Sequence, residues 1–476
     1  MKLILWLIFL AIPIFVQAQV YSNLDLSRAI EILKRDSLEI NIAKFDENIR
    51  AFEHKIAKGY NYGKLDLTQL AMRSNDAGNV FGFKLQSREA TFRDFGFSDF
   101  LGGVGQALAL SSGNFGTFSN IMSNPATANQ LLDTSPSDLN YPGSRNHFQT
   151  KLQYEVPLYT GGKLEQYSAI TMALTKLSKL DTKKIVSEKI YQLKKSYYNI
   201  YLLDSYLKNL NIIEKNMIKL EDMAQAMINE GYAKKVDLLE VQSKKANVVR
   251  MINTARANKK LVLHFISFLL NSKVESVSGT YKKVMPKTLN IKEILNRNID
   301  IQKAKQGLKI TDMNIKLQES ANLPEVGAFA QYSSADNNFL NDFTQHDAYT
   351  VGFQFKINLF NGGIDKNNIQ KARVENLKVK AQVELAKKGI ALKVAKIKTE
   401  IESMDFDIDS LNKEIELSRT IYKNYLGRYQ EKLVSINDVI IKQSLEIEKV
   451  LKLKEVQNRR TSKILELENI ANGEEI

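Results

Sequence analysis

From Lys163 to Glu230 the chain runs through 68 residues without a proline or a glycine. A continuous helix of that length, at ~1.5 Å per residue, would extend about 100 Å, and no ordinary globular domain holds such an element. Between Leu210 and Met227 the apolar residues recur by sevens, as Leu210, Met217 and Ala224 beside Ile213, Leu220 and Met227. That period predicts a helix paired with others in coiled-coil fashion. A second stretch of the same kind runs from Ile364 to Glu431, interrupted by Gly389 and Gly427, and no proline follows Pro324.

The two stretches belong to a duplication. Residues 148–243 align without a gap on 349–444, pairing Gln153 with Gln354, Leu158 with Leu359, Gly161 and Gly162 with Gly362 and Gly363, Asp237 with Asp438, and Gln242 with Gln443. Farther upstream, Leu38, Ile40, Ala43, Ile49 and Ile56 match Ile299, Ile301, Ala304, Ile310 and Leu317, at an offset larger by 60 residues. Two tandem repeats, 19–280 and 281–476, account for this, with extra residues in the first at about 74–146. Each repeat reads as a helical opening, a strand, a loop, a second strand, a very long helix, a turn and another long helix.

The second strands carry the clearest pattern. Phe148, Thr150, Leu152, Tyr154, Val156 and Leu158 alternate with polar residues, and so do Tyr349, Val351, Phe353, Phe355, Ile357 and Leu359. Period two over about 11 residues suits a strand tilted across a bilayer. The first strands are placed near Lys64–Met72 and Val326–Tyr332. A soluble, half-buried hairpin gives the same alternation, and it is the helices that follow which favour the membrane.

Residues 1–18 read as a secretory signal: Lys2, an apolar run from Leu3 to Val16 broken by Pro13, and small residues before a cleavage expected near Gln19. No later run is apolar enough for a spanning helix, so any membrane insertion is by strands. With no cysteine, neither a disulfide framework nor a lipid-modified amino terminus is open to the chain. The net charge of +14 is spread over Lys-rich helical segments, a poor pattern for nucleic acid. His54, His147, His264 and His346 lack metal-ligand spacing. No nucleophile elbow, phosphate-binding loop or dinucleotide fingerprint occurs, so the chain reads as a non-enzyme without cofactor.

One chain offers four membrane strands, whereas an open sheet edge cannot face lipid and closed barrels begin at about eight strands. Several chains must share a barrel, and three would give twelve strands and twelve long helices. At this point the residues resemble the TolC-like outer-membrane factors, the exit ducts of tripartite efflux pumps and type I secretion systems. The resemblance rests on Val156–Gly162 with Ile357–Gly363 at the strand-to-helix junction, on Asn229–Gln242 with Gln430–Gln443 at the helix turn, and on Asn322-Leu-Pro-Glu-Val326 before a strand. It implies an α+β membrane protein: a homotrimeric beta-barrel in the outer membrane, continued by a periplasmic alpha-helical barrel. It also implies a periplasmic adaptor and an inner-membrane pump as partners.

The resemblance further makes the turns at Gly231–Asp237 and Lys432–Asp438 the periplasmic tips. Asp237, Asp438 and Glu240 would line the constriction there, with Gly231, Tyr232, Lys432 and Leu433 in the adaptor-docking turns and Gly161, Gly162, Gly362 and Gly363 at the junctions. Rings of carboxylates set a negative potential that favours cations; the alternative is that each Asp serves to cap the returning helix. Two departures stand out: Ile441 occupies the place of a second acid, and Lys432 that of the tip glycine. The insert is expected to be an exterior loop. A trimeric adhesin would carry one terminal barrel block, and a periplasmic scaffold would lack an apolar strand face; recurrence of strands in both halves speaks against each.

Overall fold

The computed structural model describes residues 20–280, 282–286, 290–339 and 344–471; the signal segment expected at 1–18 lies outside them. Two compact units are formed. One contains Glu53–Ile170 and Met313–Ala372 and is built around a sheet; the other contains residues 20–52, Thr171–Asp312 and Arg373 onward and is helical.

In the helical unit the chain opens with β1 (Val20–Tyr21), α1 (Leu26–Asp36) and α2 (Leu38–Gly59). A 3-10 turn at Tyr60–Tyr62 and strand β2 (Lys64–Ser74) follow in the sheet unit. The residues after β2, expected as a loop, are instead largely helical: α3 (Ala77–Gln86), α4 (Phe97–Leu110), α5 (Phe115–Met122), α6 (Pro125–Leu132) and α7 (Ser137–Asn140). Asp76, Asn114 and Asn124 sit at helix starts, where they accept amide protons. Such residues favour caps as strongly as they favour turns.

Strand β3 (Arg145–Thr160) runs into α8 (Lys163–Asn229), followed by α9 (Lys235–Leu270) and β4 (Lys273–Val274). Then come α10 (Ile291–Arg297), α11 (Ile299–Glu319), β5 (Glu325–Asp336), β6 (Asp347–Lys356), α12 (Ile364–Gln430) and α13 (Ile436–Ile470). Ile357 and Leu359, placed on the last strand by their alternation, fall beyond its end.

The four long strands form one antiparallel sheet in the order β2, β3, β5, β6. Its register decides which side chains share a face. Leu65 stands opposite Tyr154, which stands opposite Ala330, and that opposite Val351; the next row is Leu67, Leu152, Tyr332 and Tyr349. Interleaved with these are Asp66, Gln153, Gln331 and Thr350, and Lys64, Glu155, Phe329 and Gly352. With period two, one face is apolar across all four strands and the other largely polar. Among the described residues, β2 and β6 have no strand beyond them.

In the helical unit, polar contacts set a row of helices. Thr175 and Thr182 of α8 donate to the carbonyls of Arg50 and Ala43 on α2, at 3.0 and 3.2 Å. Gln306 of α11 donates to Ala173 O of α8, and Asn376 of α12 donates to Asp312 of α11. The row is thus α2, α8, α11, α12. Both end helices expose apolar side chains: Leu38, Ile42, Phe45, Ile49 and Phe52 on α2, at alternating four- and three-residue spacing, and Val374, Leu377, Leu385 and Leu392, more widely spaced, on α12.

Farther along α8 the sevenfold residues enter one core: Leu210, Ile213, Met217, Leu220 and Ala224 pack with Val241, Val248 and Ile252 of α9, Tyr422 and Tyr429 of α12, and Val439 and Ile440 of α13. A second core holds the chain start, where β1 pairs in parallel with β4 and Tyr197, fully buried, donates to Leu24 O. Among the described residues no helix is long and apolar enough to cross a membrane. Leu220 is fully buried, so Leu220→Ala is predicted to destabilise the helical unit by about 2–5 kcal/mol, read as a lowered melting temperature with native secondary structure retained.

Candidate functional site

The turns joining α8 to α9 and α12 to α13 lie in the helical unit and are built alike. In the first, Gly231 N donates to Ile228 O and Tyr232 N to Met227 O, at 3.0 and 2.8 Å. In the second, Lys432 N donates to Tyr429 O and Leu433 N to Arg428 O, at 3.0 and 2.9 Å. Both are helix ends closed by a left-handed residue. That residue is Gly231 in the first (φ +80°) and Lys432 in the second (φ +64°). A side chain in this region costs about 1–2 kcal/mol, which Lys432 offsets in part: its ammonium sits 3.3 Å from the centre of the Tyr232 ring and 3.8 Å from Glu230. A cation over an exposed aromatic ring contributes roughly 0.5–1 kcal/mol. The departure from glycine therefore joins the two turns of one chain to each other.

Asp237 and Asp438 each occupy the third position of the returning helix and reach back to its start. Asp438 accepts from Ser435 N at 3.1 Å and from Ser435 Oγ at 2.7 Å, while Ser435 Oγ accepts from Asp438 N at 3.2 Å. This is a reciprocal capping box. Asp237 makes half of one, accepting from Lys234 N at 2.8 Å, because Lys234 has no side-chain acceptor to return. Capping therefore describes both aspartates, and both remain partly exposed, with Glu240 and Ile441 more so. The hydrogen bonds from Ser435 hold the Asp438 carboxyl below its ordinary value of 3.8.

Around the turns lie residues that spacing did not reveal. Tyr429 is buried, its hydroxyl without a hydrogen-bond partner, and burial together with the nearby Asp237 charge raises its pKa. Glu221 of α8 accepts from Lys245 at 2.6 Å and from Gln242 at 3.0 Å, and these bonds lower its pKa. Gln443, the counterpart of Gln242, is buried and donates to Glu446, which also accepts from Arg419 at 3.0 Å. The matched glutamines thus face different partners, one on the preceding helix and one on its own, which a single sequence offers no means of reading.

The junction glycines belong to the sheet unit. Gly161, Gly162, Gly362 and Gly363 all have φ between +61° and +81°. Two successive left-handed residues redirect the chain into the helix that follows, directly after β3 in the first case and ahead of α12 in the second, and only glycine adopts them freely. At Gly161 a Cβ would also come within 2.8 Å of Leu323 Cβ and Ser320 O. Beside this junction lies a cleft of about 670 Å³ lined by Tyr60, Lys163, Tyr167, Glu325, Lys356 and Asp365. No cluster of three or more potential metal ligands occurs among the described residues.

Residues 290–471 match the family model described as Outer membrane efflux protein. The fold is similar to that of CusC, in a structure of its transmembrane channel formation, with a TM-score of 0.74 at 13% identity over 94% of this chain and 91% of that one. It is also similar to the CmeC outer membrane channel of Campylobacter jejuni (TM-score 0.73, 12% identity, 94% and 85% covered). For the outer membrane protein VceC of Vibrio cholerae the values are 0.72 and 13%, with 94% and 96% covered. No curated protein matches the chain.

Two outcomes are expected at the turns. Gly231→Ala places a Cβ in open space but in the left-handed region, so the cost of about 1–2 kcal/mol appears as faster hydrogen exchange of the Tyr232 and Ala233 amides, with the melting temperature nearly unchanged. Because the folded Asp438 pKa lies below its unfolded value, its contribution is complete above the unfolded value and is lost as pH falls through the folded one. Protection of the Asp438 and Val439 amides is predicted to persist through mildly acidic pH and to fall only below about pH 4; Asp438→Ala lacks it at every pH.

Proposed function

We infer that this chain, whose residues 290–471 match the family model described as Outer membrane efflux protein, is an outer-membrane exit duct, an efflux channel with no chemistry of its own. The observation that carries this reading is the sheet: one face apolar across four strands, the other largely polar, and both edges without a further strand among the described residues. Unpaired peptide groups are too costly to leave in hydrocarbon. Three chains pairing the β2 edge of one with the β6 edge of the next give a closed barrel of twelve strands, its apolar face to lipid and its polar face to a lumen.

The helices support the same closure. The exposed stripes on α2 and α12 sit at the two ends of the helix row, so each needs a partner from a neighbouring copy, as heptad seams do. The result is a helical tunnel in the periplasm continuing the barrel. Its turns at Gly231, Tyr232, Lys432 and Leu433 form the docking tips for a periplasmic adaptor, and the driving energy comes from an inner-membrane pump of a tripartite efflux or type I secretion system. Repeated three times, Asp237, Glu240 and Asp438 form carboxylate rings that favour cations, while the Tyr232–Lys432 contact holds the two turns of each chain together.

Single-channel recording in planar bilayers tests this. The parent protein is expected to give small, cation-selective openings, and Asp237→Ala with Asp438→Ala to enlarge them or abolish the selectivity. Conductance untouched by both substitutions reduces the aspartates to helix caps. A folded protein that never inserts overturns the outer-membrane reading.

A further inference from the structure

The segment between β2 and β3 is a folded module whose surface composition differs from the rest of the chain. From Phe97 to Leu132 the only charged residue is Asp99, in a chain that is 25% charged. Its core is thin, with Val80, Phe83, Ala107 and Leu131 buried. Large apolar side chains stand outside it: Phe92 is 80% exposed, Leu110 77%, Phe115 81% and Leu132 76%. A soluble surface rarely leaves so much apolar area open without a partner.

The module is fixed to one face of the sheet. Phe83 of α3 stacks on His147 with ring centres 4.2 Å apart and planes 6° from parallel. Arg145 donates to Ser87 Oγ at 2.9 Å and pairs with Glu89. Counting by twos along β3, Arg145 and His147 share the face of Lys151 and Gln153, the polar one. At this end the same face carries Met72 opposite His147 and Leu70 opposite Gln149, and it is His147 and Arg145 on it that receive the module. The insert therefore covers the polar side of the sheet rather than the lipid side.

We propose that the insert is an outer gate: three copies, one from each chain, meet through their exposed apolar residues across the mouth of the duct and close it from outside. The proposal rests on the duct reading, which places the polar face around a lumen. Its occupant is the same module of a neighbouring copy, for two reasons. The insert springs from β2, the very edge that pairs with the next chain, so it starts at the boundary between copies. Surfaces that meet their own copies near a symmetry axis also bring every charge close to an identical one, and this surface carries almost none. A lipid or polysaccharide partner rich in phosphate would instead call for lysines and arginines.

The absence of cysteine makes the test direct. Full-length protein carrying Phe115→Cys, and separately Leu110→Cys, is treated in membranes with a short bis-maleimide, and the detergent-solubilised parent is weighed for its number of chains. A third variant replaces Ala77–Tyr141 by a short Gly-Ser turn. The expected result is a trimer, linked chains with either cysteine, and a several-fold rise in single-channel conductance when the insert is removed. A trimer that inserts in bilayers but gives no linked chains, or whose conductance is unaltered by the deletion, overturns the gate and leaves the duct standing. A chain that is not trimeric, or does not insert, overturns both.

Discussion

A sheet with two open edges and one apolar face cannot be a finished object in a membrane. Each edge strand carries a row of amide and carbonyl groups that water would satisfy and hydrocarbon would not. The edges here belong to β2 and β6, and the helices that adjoin those strands in sequence, α2 and α12, carry the exposed apolar stripes. In the duct reading, closure by copies of one chain satisfies both at once.

Coupling strands to helices of 67 residues requires the chain to change direction where the helices begin. The paired glycines at Gly161 and Gly162, and again at Gly362 and Gly363, supply that change with two left-handed residues. At the other end of the long helices a single left-handed residue reverses the chain. There Lys432 accepts backbone strain that Gly231 avoids, and its ammonium finds Tyr232 in the opposite turn. A position that reads in sequence as a loss is, in the folded chain, a contact between the two tips.

The capping boxes show how one residue serves two ends. Asp438 and Asp237 hold the starts of α13 and α9 through backbone amides, and both keep part of their surface in solvent. A cap that is also partly exposed keeps its charge open to solvent, so in the duct reading the capping and electrostatic roles are compatible. Tyr429, buried beside Asp237 with an unpartnered hydroxyl, adds a polar group whose cost is borne next to that charge.

Much of this was legible from periodicity. The heptad residues Leu210, Ile213, Met217, Leu220 and Ala224 are buried together, and the alternation of β3 and β6 separates an apolar from a polar face, because both patterns follow from the rise and rotation of a single backbone. The glycine pairs were visible for the same local reason. The helical insert was missed, since short helices capped by Asn and Asp have the composition of loops and bury too little to leave a periodic stripe. The partners of Glu221, Tyr429 and Lys432 were also out of reach: they lie on helices distant in sequence, and no spacing records which rotation brings them together. What the sequence determined by itself was local conformation and amphipathic faces, whereas the order of strands, the side of the sheet on which the insert lies, and the meeting of the two turns were decided by tertiary packing, where contact depends on register between segments that the chain's own periodicity does not specify.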